Sequence, residues 1–159
     1  MELVFNSADE INIKAEEFKN LGRKDMVLAL AVQNGLDKED AEDYIAGEMD
    51  KLTTPAMAAW GRINIQTKEL EVYEIMEDWI TYIKQRCLEN AVMAKAVMQP
   101  DKSIKGCIAE LLKWSLKNAK PVDKGILKAC SINYNVRLGI PGMRTAKETI
   151  NKYYVGGIK

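Results

Sequence analysis

Leu70-Glu71-Val72-Tyr73-Glu74-Ile75-Met76-Glu77-Asp78-Trp79-Ile80-Thr81-Tyr82-Ile83-Lys84-Gln85-Arg86-Cys87 is the stretch that decides the fold class. Leu70, Tyr73, Met76, Trp79, Ile80, Ile83 and Cys87 recur at three- and four-residue intervals across more than four turns, the spacing of a helix with one buried face. The spacing predicts a long helix over 70–87. It either continues through Asn90 into 91–98 or breaks at Asn90, and Gln99-Pro100 ends it, because proline lacks an N–H and restricts the residue before it.

The same period extends outward in both directions. Ser7 and Glu10 stand in capping-box register ahead of Ile11, Ala15, Phe18 and Leu21, predicting a first helix that ends at Gly22. A second helix over 23–34 turns Met26, Val27, Leu30 and Ala31 inward and stops at a left-handed Gly35. Asp37 caps a third with Ala41, Tyr44, Ile45, Met49 and Leu52 as its buried line. Thr54-Pro55 opens a fourth, with Met57, Trp60 and Ile63 inward.

Beyond Pro100, Asp101 or Ser103 caps a helix carrying Ile104, Cys107, Ile108, Leu111, Leu112 and Ser115, which Pro121 stops. A shorter helix over 123–133 presents Ile126, Leu127 and Cys130. Residues 134–142 read as a loop, and Thr145 with Glu148 repeats the capping box for a terminal helix with Ile150 and Tyr154. Residues 62–66 and 133–138 are short enough to be strands. The expected architecture is all-α, an irregular bundle of seven or eight helices in a single domain over 1–159, with room for one short β-hairpin.

Composition agrees with a helical globule. The 159 residues are 47% hydrophobic, 29% charged and 7% aromatic, with four prolines, enough apolar material for a core without disulfides or metal. Cys87, Cys107 and Cys130 form no CxxC pair and are expected in the core, as are Trp60, Trp79 and Trp114. The N-terminus lacks a secretory layout and no apolar run is long enough to span a bilayer, so a cytoplasmic protein without membrane contact is expected.

Histidine is absent, which removes imidazole acid–base chemistry, His-activated nucleophiles and the common zinc sites. A calcium loop starting at Asp37 fails because Glu42 stands where the sharp turn needs glycine. No catalytic residues, cofactor or metal are expected, and the chain reads as a binder rather than an enzyme.

Net charge is zero, but the zero conceals two parts. Residues 1–100 carry 11 Lys+Arg and 19 Asp+Glu; residues 101–159 carry 12 and 4. The acidic part concentrates on Asp37, Glu39, Asp40, Glu42 and Asp43, extended on the same helix by Glu48 and Asp50. Acids in a first helical turn favour the dipole, whereas the later ones repel without structural gain and resemble a row of phosphates. The basic part comprises Lys102, Lys105, Lys113, Lys117, Lys120, Lys124, Lys128, Arg137 and Arg144, followed by Lys147 and Lys152, with Trp114 and Tyr134 available for stacking. Lysine predominates over arginine, favouring charge contact over base reading. Gly139-Ile140-Pro141-Gly142 and Arg144 stand before a helix start, a place suited to an anion, without forming a complete phosphate-loop motif.

One stretch carries a family likeness. Asp101-Lys102-Ser103-Ile104-Lys105-Gly106-Cys107, then Pro121-Val122-Asp123-Lys124 and on to Tyr134, resembles the C-terminal part of the PcfK-like family of plasmid and phage proteins. Lys102, Ser103, Gly106, Cys107, Val122, Asp123 and Tyr134 match its pattern, over about a third of the chain. Cys130-Ser131-Ile132-Asn133 stands where such proteins carry Trp or His near the closing tyrosines. The resemblance implies a mobile-element protein, and some relatives of the family inhibit CRISPR effector nucleases. It brings no catalytic residues.

The leading expectation is therefore a phage- or plasmid-encoded protein that binds and inhibits a host nucleic-acid enzyme, such as a CRISPR nuclease. The alternatives are an accessory protein of replication or conjugative transfer that binds DNA or RNA, and a self-associating structural or adaptor protein. Oligomeric state is left open.

Overall fold

Six helices begin where a short polar side chain accepts from an N–H that has no helical partner. Ser7 accepts from Glu10, Asp37 from Glu39, Thr54 from Met57, Asn90 from Val92 and Met93, Ser103 from Gly106, and Asp123 from Gly125. The computed structural model describes residues 2–157. In chain order the elements are α1 (Ala8–Asn20), α2 (Lys24–Gln33), α3 (Lys38–Ala46), α4 (Pro55–Lys68), α5 (Ile75–Glu89), α6 (Ala91–Val97), α7 (Ile104–Asn118), β1 (Lys120–Pro121), α8 (Lys124–Ala129), β2 (Arg137–Leu138) and α9 (Met143–Val155). The architecture is all-α, an irregular bundle with one two-residue antiparallel ladder, Lys120 opposite Leu138 and Pro121 opposite Arg137.

α1, α2 and α3 pack in succession, each on the next. α4 is the hub, touching α1, α5, α6 and α7, while α9 packs on α6 and α7. One apolar cluster joins all of this, from Leu3 to Tyr154. Its fully buried members include Ile11, Leu30, Ile63, Ile83, Met93, Ile104, Leu111 and Ile150. Each large side chain removed from water stabilises by about 1.5–3 kcal/mol before entropy is counted.

Gly35 and Gly61 explain how α4 approaches the turn after α2 so closely. A Cβ on either would collide with the backbone of the other segment, Gly61 O for Gly35 and Asn34 O for Gly61. Gly35 also sits at φ +69, the left-handed position expected after α2.

Several expectations are corrected. The helix of the opening stretch starts at Ile75, not Leu70: α4 runs to Lys68, and turning back to pack α5 on it consumes residues 69–74. Tyr73 is left 63% exposed and Glu74 takes φ +49. Residues 62–66 are helical within α4. The break at Asn90 is real, because its side chain caps α6, and nine helices are present among the described residues.

α3 ends at Ala46, since Gly47 is left-handed at φ +86 and Glu48 N–H closes onto Asp43 O at 2.9 Å. Met49 and Leu52 therefore lie beyond the helix, although Leu52 is fully buried. At the last helix, Gly142 precedes a start at Met143, so Thr145 is already inside the first turn and caps nothing. Glu148, the other half of the expected capping box, instead accepts from Arg144 Nε at 3.2 Å.

Leu21, Leu112, Ile126 and Cys130, all expected inside, are exposed. Leu112 falls on the flank of α7 shared with Lys105 and Leu116, away from the buried line of Ile104, Cys107 and Leu111. Trp79 is buried and Trp114 half-buried, but Trp60 lies at the surface, its Nε1 donating to Lys84 O at 2.9 Å.

Candidate nucleic-acid interface

α7 and α9 pack side by side, and the flank of α7 facing α9 carries Glu110, Lys113, Trp114 and Lys117 at three- and four-residue spacing. α9 answers with Thr149, Lys152 and Tyr153. Together these side chains line an open groove of 470 Å³. Three cations and two aromatic rings thus meet in one concavity, with a single carboxylate.

Tyr153 is the most firmly held of the groove's side chains. Its hydroxyl accepts from Ser103 N–H at 3.0 Å, its ring meets Tyr154 edge-on, and Lys102 Nζ lies 4.9 Å over its face. Gly106 makes room for this, since a Cβ there would collide with the Tyr153 hydroxyl. Sequence reasoning misses Tyr153; a glycine inside the amphipathic α7 is the signal that points to a neighbour this close.

A second hollow, 430 Å³, belongs to α8 and the segment after it. Lys124 and Lys128, one turn apart, line it with Leu127, Ile132 and Tyr134. Lys120 and Arg137 belong to the adjacent ladder, and Arg137 Nη2 donates to Ala119 O at 2.6 Å. Of the expected basic set, Lys113 and Lys117 come together in the first hollow, and Lys124 and Lys128 in the second. Lys105 lies on the other flank of α7, and Arg144 is tied to Glu148.

The four acids of this region are all engaged. Asp101 lies 3.8 Å from Lys102, Glu110 pairs with Lys113 at 2.9 Å, Asp123 caps α8, and Glu148 meets Arg144. Lys117, Lys124, Lys128 and Lys152 have no carboxylate partner among the described residues.

The acidic set does not form one row. Asp37 caps α3, and Glu39, Asp40, Glu42 and Asp43 follow on the helix, with Glu42 3.6 Å from Lys38. Glu48 and Asp50 are displaced from it by the turn at Gly47. Asp50 instead lines a different groove, of 640 Å³, with Asp9, Glu16, Lys19 and Lys51 beside α1.

Two residues of the anion site expected before α9 have other neighbours. Gly139 serves a close approach: a Cβ there would strike Ser115 O and crowd Ala119, so the glycine lets the chain lie against the end of α7. Arg144 remains solvent-exposed, with Glu148 3.2 Å from its Nε one turn along α9.

Cys87 and Cys107 are buried, and burial pushes each thiol up to about 12, which leaves them poor nucleophiles at neutral pH. Among the described residues no group of three or more His, Cys, Asp or Glu is arranged to hold a metal ion. No helix among them is long and apolar enough to cross a membrane. Compared with known proteins, the chain matches no family model, no curated protein and no solved structure.

Proposed function

We propose that this chain is a nucleic-acid-binding accessory protein of a mobile element, acting through its basic C-terminal third without chemistry of its own. The observation that carries the reading is the imbalance of charge on that surface: every acid there is engaged, while Lys117, Lys124, Lys128 and Lys152 face solvent beside Trp114, Tyr153 and Tyr134. Lysines without bidentate geometry favour phosphates over base edges, so the binding is sequence-tolerant. The PcfK-like resemblance over 101–134 supports the mobile-element setting.

The test is retardation of mixed-sequence oligonucleotides by the full chain at low salt. Affinity is expected to fall steeply as salt rises, and the double variant Lys117→Glu with Lys128→Glu to abolish the shift; each neutralised phosphate-contacting lysine lowers the salt slope by about one. Absence of any shift at low salt refutes the reading.

A second reading is inhibition of a host nucleic-acid enzyme, a CRISPR effector nuclease among the candidates, by α3 acting as a phosphate mimic. The favouring observation is that Glu39, Glu42 and Asp43 are exposed on one short helix, with Lys38 the one ion-pair partner among the described residues. Under this reading the chain forms a stoichiometric complex with the nuclease, and Glu42→Lys with Asp43→Lys weakens that complex.

A further inference from the structure

We infer that Trp114 is a stacking platform for an unpaired base, so that the α7–α9 groove takes a single-stranded polynucleotide rather than a duplex; this rests on the nucleic-acid reading above. The three tryptophans differ in what occupies them. Trp79 is buried in the core. Trp60 is committed within the protein, its Nε1 bonded to Lys84 O and its ring covered by Lys84 Nζ at 5.3 Å. Trp114 is half-buried on the groove wall, with no cation or aromatic ring over its face and no acceptor for its Nε1 among the described residues.

Its neighbours are arranged for a strand. Tyr153 is already held by Ser103 and capped by Lys102, so it forms a rigid wall rather than a second free platform. Lys117 stands one α7 turn from Lys113, and Lys152 reaches the same groove from α9. Lys113, Lys117 and Lys152 line the same groove as the indole, so a strand with a base stacked there has cations at hand for its phosphates. A base can present its face to an indole only when it has left the stack, and every base has such a face, so the preference is for single strands and tolerant of sequence. The shared chemistry admits DNA and RNA alike.

The experiment titrates the full chain with labelled oligo(dT), oligo(U) and a blunt duplex of equal length. Oligo(dT), oligo(U) or both are expected to bind more tightly than the duplex and to quench tryptophan emission. Trp114→Ala should weaken single-strand binding about tenfold with little change in salt slope, because stacking releases no counterions, while Trp114→Phe should retain most of the affinity. Lys152→Gln should lower the slope instead. Thermal unfolding of each variant separates lost stacking from lost folding.

Equal affinity for duplex and single strand, or wild-type affinity in Trp114→Ala, overturns the stacking inference while the broader nucleic-acid reading stands. Failure of all three probes to bind removes both.

Discussion

α7 and α9 differ from the chain that joins them, and the difference separates what holds this molecule together from what it offers to partners. The two helices bury Ile104, Cys107, Leu111, Ala146, Ile150 and Tyr154 against α4 and α6. Between them, residues 119–142 bury only Leu127 and Pro141. That excursion is held by local devices: the two-residue ladder, the Asp123 cap, a Val122 N–H to Val136 O bond of 2.8 Å and an Ile132 N–H to Leu127 O bond of 2.8 Å. Segments with few buried apolar side chains open at low free energy. Lys120, Lys124, Lys128, Arg137 and Tyr134 therefore sit on the part of the C-terminal third that can adjust, while Trp114 and Tyr153 sit on the part that cannot.

The strongest way to break the contrast is from the packed side. Ile150→Ala should cost about 2–5 kcal/mol in chemical denaturation, the cavity cost at a fully buried site, whereas Ile126→Ala on the exposed face of α8 should stay within about 0.5 kcal/mol. Similar losses for both would show that the excursion is part of the cooperative core.

Gly139→Ala probes the joint between the regions. Its Cβ would meet the Ser115 carbonyl, so the strap must lift from α7 at a cost of about 1–3 kcal/mol. Amide exchange should speed up in 120–140 and stay unchanged in α4; uniform acceleration would argue against a separable strap.

The smallest effect expected is that of Asp123→Ala. Loss of the cap should cost about 1 kcal/mol and confine itself to faster exchange across α8, without moving the main unfolding transition. A shifted main transition would place α8 in the core unit.

Sequence and structure agree best where a local chemical signal sets the backbone. Ser7, Asp37 and Thr54 can be placed as caps because a hydroxyl or carboxylate before an apolar period has one economical use, and Gly35 because it follows a complete helical face; for α7 the sequence leaves Asp101 and Ser103 open, and the structure takes Ser103. Disagreement arises where a pattern is satisfied by accident. Leu70 and Tyr73 keep the period of α5 although they belong to the reversal before it, and Thr145 with Glu148 keeps capping-box spacing two residues inside a helix begun by Gly142.

The candidate site was legible as a list of cations but not as a groove. Trp114 and Tyr153 meet only because α7 and α9 lie side by side, a long-range choice that neither helix encodes alone. The same holds for Gly35 against Gly61. Gly47 is the opposite case, a local left-handed helix end whose turn divides an acidic run that is nearly continuous in sequence.

Cys130, at the exposed end of α8, has a practical corollary. With Cys87 and Cys107 sealed in the core, a maleimide dye should attach to the native chain at a single position, beside Lys128 and within the adjustable segment. The wild-type sequence thus carries its own attachment point for a fluorophore or spin label, and movement of the 119–142 arm can be followed without altering a residue.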